Sequence, residues 1–149
     1  MIVREAKKAD AKIIHRIHER SLPSPWSLDS IRDWLSEPSW LWLVAVQDER
    51  IIGFLSSRFL GDTVELLNIA VLEEARRFGA GQALIDALVA RVAQEPEVEQ
   101  IILEVRYGNE AARALYVKSG FRLVRAQPGY YPDTGEAMWQ MALECGHSA

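Results

Sequence analysis

Apolar and polar positions follow two periodicities along this chain, and together they predict a mixture of strands and helices. A short strand is expected at residues 2–5. Two helices are expected next, over residues 10–20 and 28–36, with Asp10 and Ser27 as their N-cap residues. The segment between them contains two prolines, which exclude a regular helix there and predict an ordered loop.

The middle of the chain predicts three successive strands, over residues 40–46, 51–59 and 63–71. A helix is expected to follow over residues 80–94, because apolar residues recur there at intervals of three and four positions. Its predicted inner face consists of five aliphatic residues: Leu84, Ile85, Leu88, Val89 and Val92.

The last third of the chain predicts a strand over residues 100–105, a helix over 110–119 and two further strands over 121–125 and 136–143. The resulting order, β-α-α-β-β-β-α-β-α-β-β, predicts an α/β fold of three layers, with helices on both faces of a mixed central sheet. At 149 residues, the chain is expected to form a single domain over residues 1–149.

Composition and charge narrow the classes of function. The hydrophobic fraction of 49% is ordinary for a globular protein in water, and the net charge of −4 argues against nucleic-acid binding through a basic surface. A single cysteine, Cys145, cannot form an internal disulfide and fits a reducing compartment. Arg4 and Glu5 lie where a signal peptide would be apolar, and no apolar run reaches membrane length. We therefore expect a cytoplasmic protein without a membrane partner, monomeric by default.

A glycine-spaced turn at residues 76–81 is the first candidate for chemistry. It joins a predicted strand to a predicted helix, and Gly79 and Gly81 allow backbone N–H groups to face an anion at the positive end of the helix dipole. The turn lacks the Gly-Lys-Ser/Thr ending of a Walker loop and the third glycine of a dinucleotide fingerprint. Its purely structural interpretation is one turn glycine and one helix-packing glycine.

Three polar residues within predicted strands are further candidates. Glu65 and Asn68 precede the glycine turn, and their structural interpretations are an outward-facing residue and a bulge former. Glu104 interrupts a strand that is apolar on both faces, a pattern typical of a central strand covered on both sides. Because a buried carboxylate is costly, we expect Glu104 either at the mouth of the strand or in a functional cleft.

The stretch 109–121 follows that strand. Taken singly, its Asn109, Tyr116 and Gly120 are interpreted as a helix N-cap, a core aromatic residue and a helix C-cap. His15 and His18 lie three positions apart on an early helix, and we do not expect them to bind a metal.

Taken together, these motifs resemble the GNAT superfamily of acyl-CoA N-acyltransferases, and the resemblance covers nearly the whole chain. It rests on five motifs in this order: L-N-I-A-V at 67–71, R-x-x-G-x-G at 76–81, L-E-V-R at 103–106, N-x-x-A-x-x-L-Y at 109–116 and G-F at 120–121. P-S-P-W-S at 23–27 and G-Y-Y-P at 129–132 resemble the ribosomal-protein-alanine N-acetyltransferases, the RimI type, more closely.

This resemblance implies acetyl-CoA as the cofactor and no metal. At the glycine turn it implies six residues that hold the pyrophosphate, largely through backbone N–H groups: Arg76, Arg77, Phe78, Gly79, Ala80 and Gly81. The strand through Ile69, Ala70 and Val71 would pair with the pantetheine arm, which Asn109 would also contact. In this fold two parallel strands splay apart, here near Val71 and Val105, and the thioester lies in the gap.

The resemblance also implies how the reaction proceeds. Glu104 matches the proposed general base and Tyr116 the proposed general acid, which also contacts the cofactor. The implied acceptor site includes six residues: Pro25, Trp26, Glu65, Asn68, Tyr130 and Tyr131. A peptide α-amine, with a reference pKa of about 7.7 to 8.0 against about 10.4 for lysine, needs only a modest base to lose its proton.

Three hypotheses of function follow. The leading one is an acetyltransferase that modifies the N-terminal alanine of a small-subunit ribosomal protein. The second is an enzyme of the same fold that acetylates a lysine side chain or a small-molecule amine, and the third is a non-catalytic acetyl-CoA-binding module. The chain carries Gly108 where the family often has serine, and residues 126–129 lack the basic residues and asparagine common in relatives. The second departure borders the acceptor site, so the acceptor stays open.

Overall fold

Seven strands form one mixed sheet in the computed structural model of the chain, which describes residues 1–145 and, within them, every side chain except that of Arg77. The strands are β1 (Ile2–Glu5), β2 (Trp40–Gln47), β3 (Arg50–Leu60), β4 (Thr63–Val71), β5 (Gln100–Arg106), β6 (Arg122–Gln127) and β7 (Met138–Glu144). The helices are α1 (Ala11–Ser21), α2 (Leu28–Leu35), α3 (Ala80–Val92) and α4 (Glu110–Lys118).

The order of strands in the sheet is β1-β2-β3-β4-β5-β7-β6. All neighbours are antiparallel except β4 and β5, which are parallel. The predicted order of elements is confirmed, and each predicted boundary lies within two residues of the observed one. Two short 3-10 turns, Lys8–Asp10 and Glu73–Phe78, were not predicted.

The sheet is covered on both faces in its middle, as the predicted three-layer arrangement requires. Phe54 and Leu55 are consecutive in β3 and therefore point to opposite faces, yet both are fully buried. α1 contacts β3 and β4, whereas α3 contacts β1 to β4. None of the helices within residues 1–145 is long and apolar enough to cross a membrane.

The two predicted N-caps have different outcomes. Ser27 caps α2 as expected, because its hydroxyl accepts a hydrogen bond from the Ser30 N–H at 3.1 Å. Asp10 occupies the predicted N-cap position of α1, but its side chain makes no capping hydrogen bond to that helix. Its carboxylate instead accepts the Lys7 N–H at 2.7 Å and pairs with Arg4 at 2.8 Å, which ties the start of α1 to β1.

Two irregularities of β4 separate its end from β5. The parallel pairing of β4 with β5 covers only Thr63–Glu65 and Gln100–Ile102, at the beginning of each strand. On its other edge, the register between β4 and β3 shifts at Leu67, which is an extra residue in β4 just before Asn68. Such a bulge bends the strand locally, so the end of β4 diverges from β5.

Candidate active site

The candidate site lies where β4 and β5 separate. Glu65 and Ile102 form their last parallel pair, yet β4 continues to Val71 and β5 to Arg106. Within the described part of the chain, the edge of β4 that faces β5 therefore has no strand partner over residues 66–71. Backbone N–H and C=O groups along a free edge can bind an extended ligand as an added strand would. The predicted splay between two parallel strands is confirmed.

One side of this gap is a cavity of about 540 Å³, which we call the glycine-turn cavity. It is lined by Val71 at the end of β4, by Arg76, Gly79 and Gly81 of the turn, and by Asn109 at the start of α4. Gly79 has a φ of +74°, a left-handed conformation that favours glycine. It is followed directly by α3, whose first N–H groups have no partner within the helix. Such a turn suits an anion.

Two cations also line the glycine-turn cavity. Arg76 is fixed at the end of β4, because its Nε donates to the Val71 carbonyl oxygen at 3.2 Å. Lys118 lies at the end of α4 and was not predicted. The signal that could have found it is helical spacing, since Ala111, Leu115 and Lys118 all line this cavity at intervals of four and three residues. Positive charge beside a helix N-terminus favours a phosphate-bearing ligand.

The other side of the gap is a second cavity of about 400 Å³, which we call the Glu104 cavity. Its lining includes Trp26, Asn68, Glu104, Tyr116 and Tyr131, which come from five separate elements or loops. The two cavities meet at the gap, because both are also lined by residues 69, 109 and 112. An extended ligand bound along β4 would therefore reach from one cavity into the other.

Glu104 lies on the open face of β5. Ile101, Leu103 and Val105 are buried, but Glu104 is exposed and Arg106 is half-buried. The pattern typical of a strand covered on both faces therefore does not extend to the face of β5 that carries Glu104. The cleft alternative for Glu104 agrees with its position in the lining, and Tyr130 Oη donates to its Oε1 at 3.4 Å.

Glu65, the second carboxylate that lines this cavity, forms an ion pair. Glu65 faces Arg58 across the β3–β4 pair, and its Oε1 lies 3.0 Å from Arg58 Nη2 and 3.1 Å from Nε. Glu104 has no such ion pair among the described residues, and its carboxylate contacts the Tyr130 hydroxyl instead.

Tyr116 reaches the Glu104 cavity from α4. Only 5% of the residue is exposed, and its ring lies 5.8 Å from that of Phe121. Burial raises the pKa of the phenol above its usual value of about 10, so the hydroxyl stays protonated at neutral pH. Two of the three structural interpretations of this stretch also hold: Tyr116 is part of the core, and Asn109 caps α4 by accepting the Ala112 N–H at 3.2 Å. Gly120, with a φ of +99°, directly follows the observed C-cap residue, Ser119.

The structure brings most predicted site residues to the two cavities, with a few exceptions among those described. The side chains of Pro25, Phe78, Ala80 and Tyr130 line neither cavity. Phe78 is exposed and Ala80 is buried in the core, although both belong to the backbone of the turn. Arg77 belongs to the 3-10 turn, and its side chain lies outside the described part of the chain.

Sequence reasoning missed His18, which lines the Glu104 cavity from α1. It is 1% exposed, its ring stacks on Phe54 at 5.6 Å, and its Nδ1 accepts the Trp26 N–H at 3.1 Å. Burial, assisted by the charge of His15, lowers the pKa of His18 to about 4, so the ring is neutral. Its place on the buried stripe of α1, next to Ile14 and Ile17, was the available signal.

Comparison with known proteins gives one consistent result. The acetyltransferase (GNAT) family model matches residues 11–121. An N-alpha-acetyltransferase of Saccharolobus solfataricus is 32% identical over 152 residues, which cover 94% of this chain and 90% of the relative.

Solved structures agree with this result. The ribosomal-protein-S18-alanine N-acetyltransferase from Escherichia coli has a TM-score of 0.89 at 27% identity, over 99% of this chain and 96% of that one. Arabidopsis thaliana NAA60 in complex with acetyl-CoA has a TM-score of 0.89 at 20% identity, over 98% of this chain and 99% of that one, and shares the fold. This protein therefore belongs to the GNAT family of N-acetyltransferases, and its resemblance to the ribosomal-protein-alanine type is confirmed.

Proposed function

We propose that this protein transfers the acetyl group of acetyl-CoA to the N-terminal α-amine of a protein, and that the acceptor is a small-subunit ribosomal protein beginning with alanine. The observation that carries the proposal is the gap between β4 and β5. It joins a cavity suited to a phosphate-bearing ligand to a cavity lined by Glu104 and Tyr116. The relatives named above act on protein N-termini or on ribosomal protein S18.

The glycine-turn cavity fits acetyl-CoA. The backbone around Gly79 and Gly81, with Arg76 and Lys118, would hold the pyrophosphate, and the free edge of β4 at Ile69 to Val71 would pair with the amides of the pantetheine arm. Asn109 lines both cavities and would contact the arm where it passes through the gap. Bound in this way, acetyl-CoA supplies an activated acetyl thioester at the gap.

Glu104 would receive the proton of the attacking amine. Its carboxylate faces the cavity rather than a cation, and it can accept the proton directly or through a water molecule. An α-amine with a pKa near 8 is already partly neutral at physiological pH, so a carboxylate is a sufficient base. Backbone N–H groups of β4 over residues 68–71 would stabilise the thioester oxygen as negative charge develops on it.

Tyr116 would assist the sulfur as the bond to the acetyl carbon breaks. Its raised pKa keeps the hydroxyl protonated, so it can donate a hydrogen bond to the departing sulfur. Because a thiol ordinarily has a pKa near 8.5, below that of this phenol, the proton is shared with the sulfur rather than fully transferred. Solvent then protonates the released thiolate, and the amide product leaves through the Glu104 cavity.

The acceptor would enter past the loop that carries Trp26 and past Tyr130 and Tyr131. Tyr131 lines the Glu104 cavity, and the Tyr130 hydroxyl contacts Glu104. The Glu104 carboxylate would attract a positively charged peptide terminus, whereas that of Glu65 is neutralised by Arg58, and the net charge of −4 suits a basic ribosomal protein.

Thiol release from acetyl-CoA tests this proposal with three acceptors. These are a peptide beginning with alanine from a small-subunit ribosomal protein, the same peptide with a blocked N-terminus and an internal lysine, and a small polyamine. We expect release with the free alanine terminus only. Thiol release only with the blocked peptide or the polyamine would overturn the proposal that the acceptor is an N-terminal α-amine. Acetyl-CoA binding without release on any acceptor would support the non-catalytic alternative.

A further inference from the structure

The Glu136 side chain is one of the groups that attach the segment between β6 and β7, residues 128–137, to the rest of the fold. Glu136 Oε2 accepts the Gly108 N–H at 2.9 Å, and Glu136 Oε1 accepts the Thr134 hydroxyl at 2.9 Å. Arg106 Nη1 lies 3.5 Å from the same Oε1. This side chain therefore connects the β6–β7 segment to the turn between β5 and α4. The hydrogen bond from Thr134, together with that from Gly108, lowers the pKa of Glu136, so it is charged at neutral pH.

Tyr131 is fixed by Arg106, which also contacts Glu136, and by backbone hydrogen bonds within its segment. Arg106 pairs with Asp133 at 2.9 Å, and its guanidinium carbon lies 4.0 Å above the centre of the Tyr131 ring. The Tyr131 N–H donates to the Glu136 carbonyl oxygen at 3.2 Å, and the Gly135 N–H donates to the Tyr131 carbonyl oxygen at 2.7 Å. Tyr131 is thus clamped between Arg106 and its own segment, with its ring in the lining of the Glu104 cavity.

Gly108 is the position that makes this arrangement possible. A Cβ atom added there would lie within van der Waals overlap of Glu136 Oε2, and 3.3 Å from its Cδ. The φ angle of Gly108 is not in the left-handed region, so its backbone alone does not require glycine. The requirement comes from the carboxylate, which occupies the space that any side chain at residue 108 would fill.

We propose that Gly108 and Glu136 form a latch that positions Tyr131 as part of the acceptor-binding wall, and that Gly108 and Glu136 are positioning residues for acceptor affinity. This inference rests on the proposed function, because it takes the Glu104 cavity as the acceptor site. Gly108 is followed by Asn109, which lines both cavities. The latch therefore also joins the acceptor wall to the turn at which the cofactor would pass.

Gly108→Ala tests the latch without removing a core contact. The alanine methyl displaces the flexible end of Glu136, while its backbone conformation is allowed. We expect the KM for the peptide to rise about 5- to 10-fold, which corresponds to the loss of one hydrogen bond to a charged group. The kcat and the KM for acetyl-CoA should change less than about 2-fold. Glu136→Ala should raise the peptide KM at least as much, because it also removes the contacts with Thr134 and Arg106. Adding Gly108→Ala to Glu136→Ala should change nothing further, because the hydrogen bond that Gly108→Ala removes is already lost.

Glu144→Ala is the matched control for charge. Glu144 lies on β7 and pairs with Arg122 at 2.9 Å at the exposed edge of the sheet. We expect its kinetic constants to match those of the unsubstituted protein. Fully additive effects of the two latch substitutions, or an unchanged peptide KM in either single variant, would overturn the latch.

Amide hydrogen exchange provides a second readout that does not depend on activity. In the free protein, we expect the Tyr131 and Gly135 amides to exchange faster in Gly108→Ala and in Glu136→Ala than in Glu144→Ala. Unchanged exchange would overturn the latch even if the peptide is a good substrate. If the protein acetylates no peptide terminus, the proposed function fails, while the exchange experiment still decides whether the latch exists.

Discussion

The two cavities that meet between β4 and β5 are lined by different kinds of chemical group. The glycine-turn cavity presents backbone groups and small residues, with Gly79, Gly81 and the free edge of β4 at its centre. The Glu104 cavity presents ionisable and aromatic side chains from several strands, helices and loops, and some of them, such as Glu65 and Tyr131, are held by further side chains. The first should therefore be sensitive to added volume, and the second to lost charge or to lost support from neighbouring side chains.

The largest effect should come from removing the proposed base. We expect Glu104→Gln to lower kcat roughly 10²- to 10⁴-fold, the usual contribution of a positioned acid or base, with little change in the KM for acetyl-CoA. Glu65→Gln is the matched control. Because the Glu65 carboxylate is paired with Arg58, its loss should cost less than about 5-fold. A larger effect of Glu65→Gln than of Glu104→Gln would assign the base role to Glu65.

The second effect concerns stability against acid and acts through His18. An unfolded histidine has a pKa near 6.5, whereas that of His18 in the folded protein is about 4, so the unfolded state binds more protons between these values. The stability that the neutral ring contributes is complete above pH 6.5 and is lost as the pH falls towards 4. The loss should amount to about 3 kcal/mol.

Urea unfolding at pH 7 and at pH 4.5 measures this contribution. We expect His18→Asn, which keeps an acceptor for the Trp26 N–H, to reduce the difference between the two pH values, and the partly exposed His15→Asn to leave most of it. The pKa of Asp10 is lowered chiefly by its hydrogen bond from Arg4, so the contribution of Asp10 to the free energy of unfolding is lost at still lower pH. An unchanged pH dependence in His18→Asn would contradict this account of the Glu104 cavity.

The third effect tests the glycine-turn cavity. Gly79→Val forces a branched side chain into a left-handed conformation at the proposed pyrophosphate site. We expect the Kd for acetyl-CoA to rise about 5- to 30-fold, equivalent to about 1–2 kcal/mol of strain. Gly61→Val is the matched control, since Gly61 has a φ of +65° with open space around it in a distant turn. Both variants should lose stability, but only Gly79→Val should lose acetyl-CoA binding. Equal affinities would contradict the assignment of this cavity.

The smallest effect separates helix capping from ligand contact at Asn109. Asn109→Ala should lower the free energy of unfolding by about 1 kcal/mol, because the bond from the Ala112 N–H is lost. Asn109→Ser should restore most of that stability while still lacking the amide that would contact the pantetheine arm. We therefore expect the serine variant to keep a several-fold higher KM for acetyl-CoA, and full recovery of both quantities would assign Asn109 to capping alone.

The same contrast explains what sequence could predict. One wall of the glycine-turn cavity consists of consecutive elements, so its strand, turn and helix were predicted from local periodicity and glycine spacing, and β4 has the predicted bounds. The 3-10 turn Glu73–Phe78 was missed there. The lining residues that come from elsewhere in the sequence, such as Leu22, Leu115 and Lys118, were also missed, because their approach depends on the tertiary fold.

The Glu104 cavity could be predicted only in part. Glu104, Tyr116 and Tyr131 were identified by motif resemblance, but the ion pair between Arg58 and Glu65 and the contact between His18 and Trp26 were not. The bond between Gly108 and Glu136 joins residues 28 positions apart, and it depends on how β7 inserts beside β5. No local pattern encodes such distances, so these contacts appear only once the sheet order is known.

The most direct test of the account is to locate the acetyl group on a single peptide that offers two amines. The peptide begins with a free alanine and contains one lysine, and after reaction at pH 7 tandem mass spectrometry assigns the modified nitrogen. The account predicts acetylation of the α-amine with the lysine unmodified, because a carboxylate such as Glu104 suffices only for the weaker base of the two amines. Acetylation of the lysine, alone or equally with the α-amine, would contradict it.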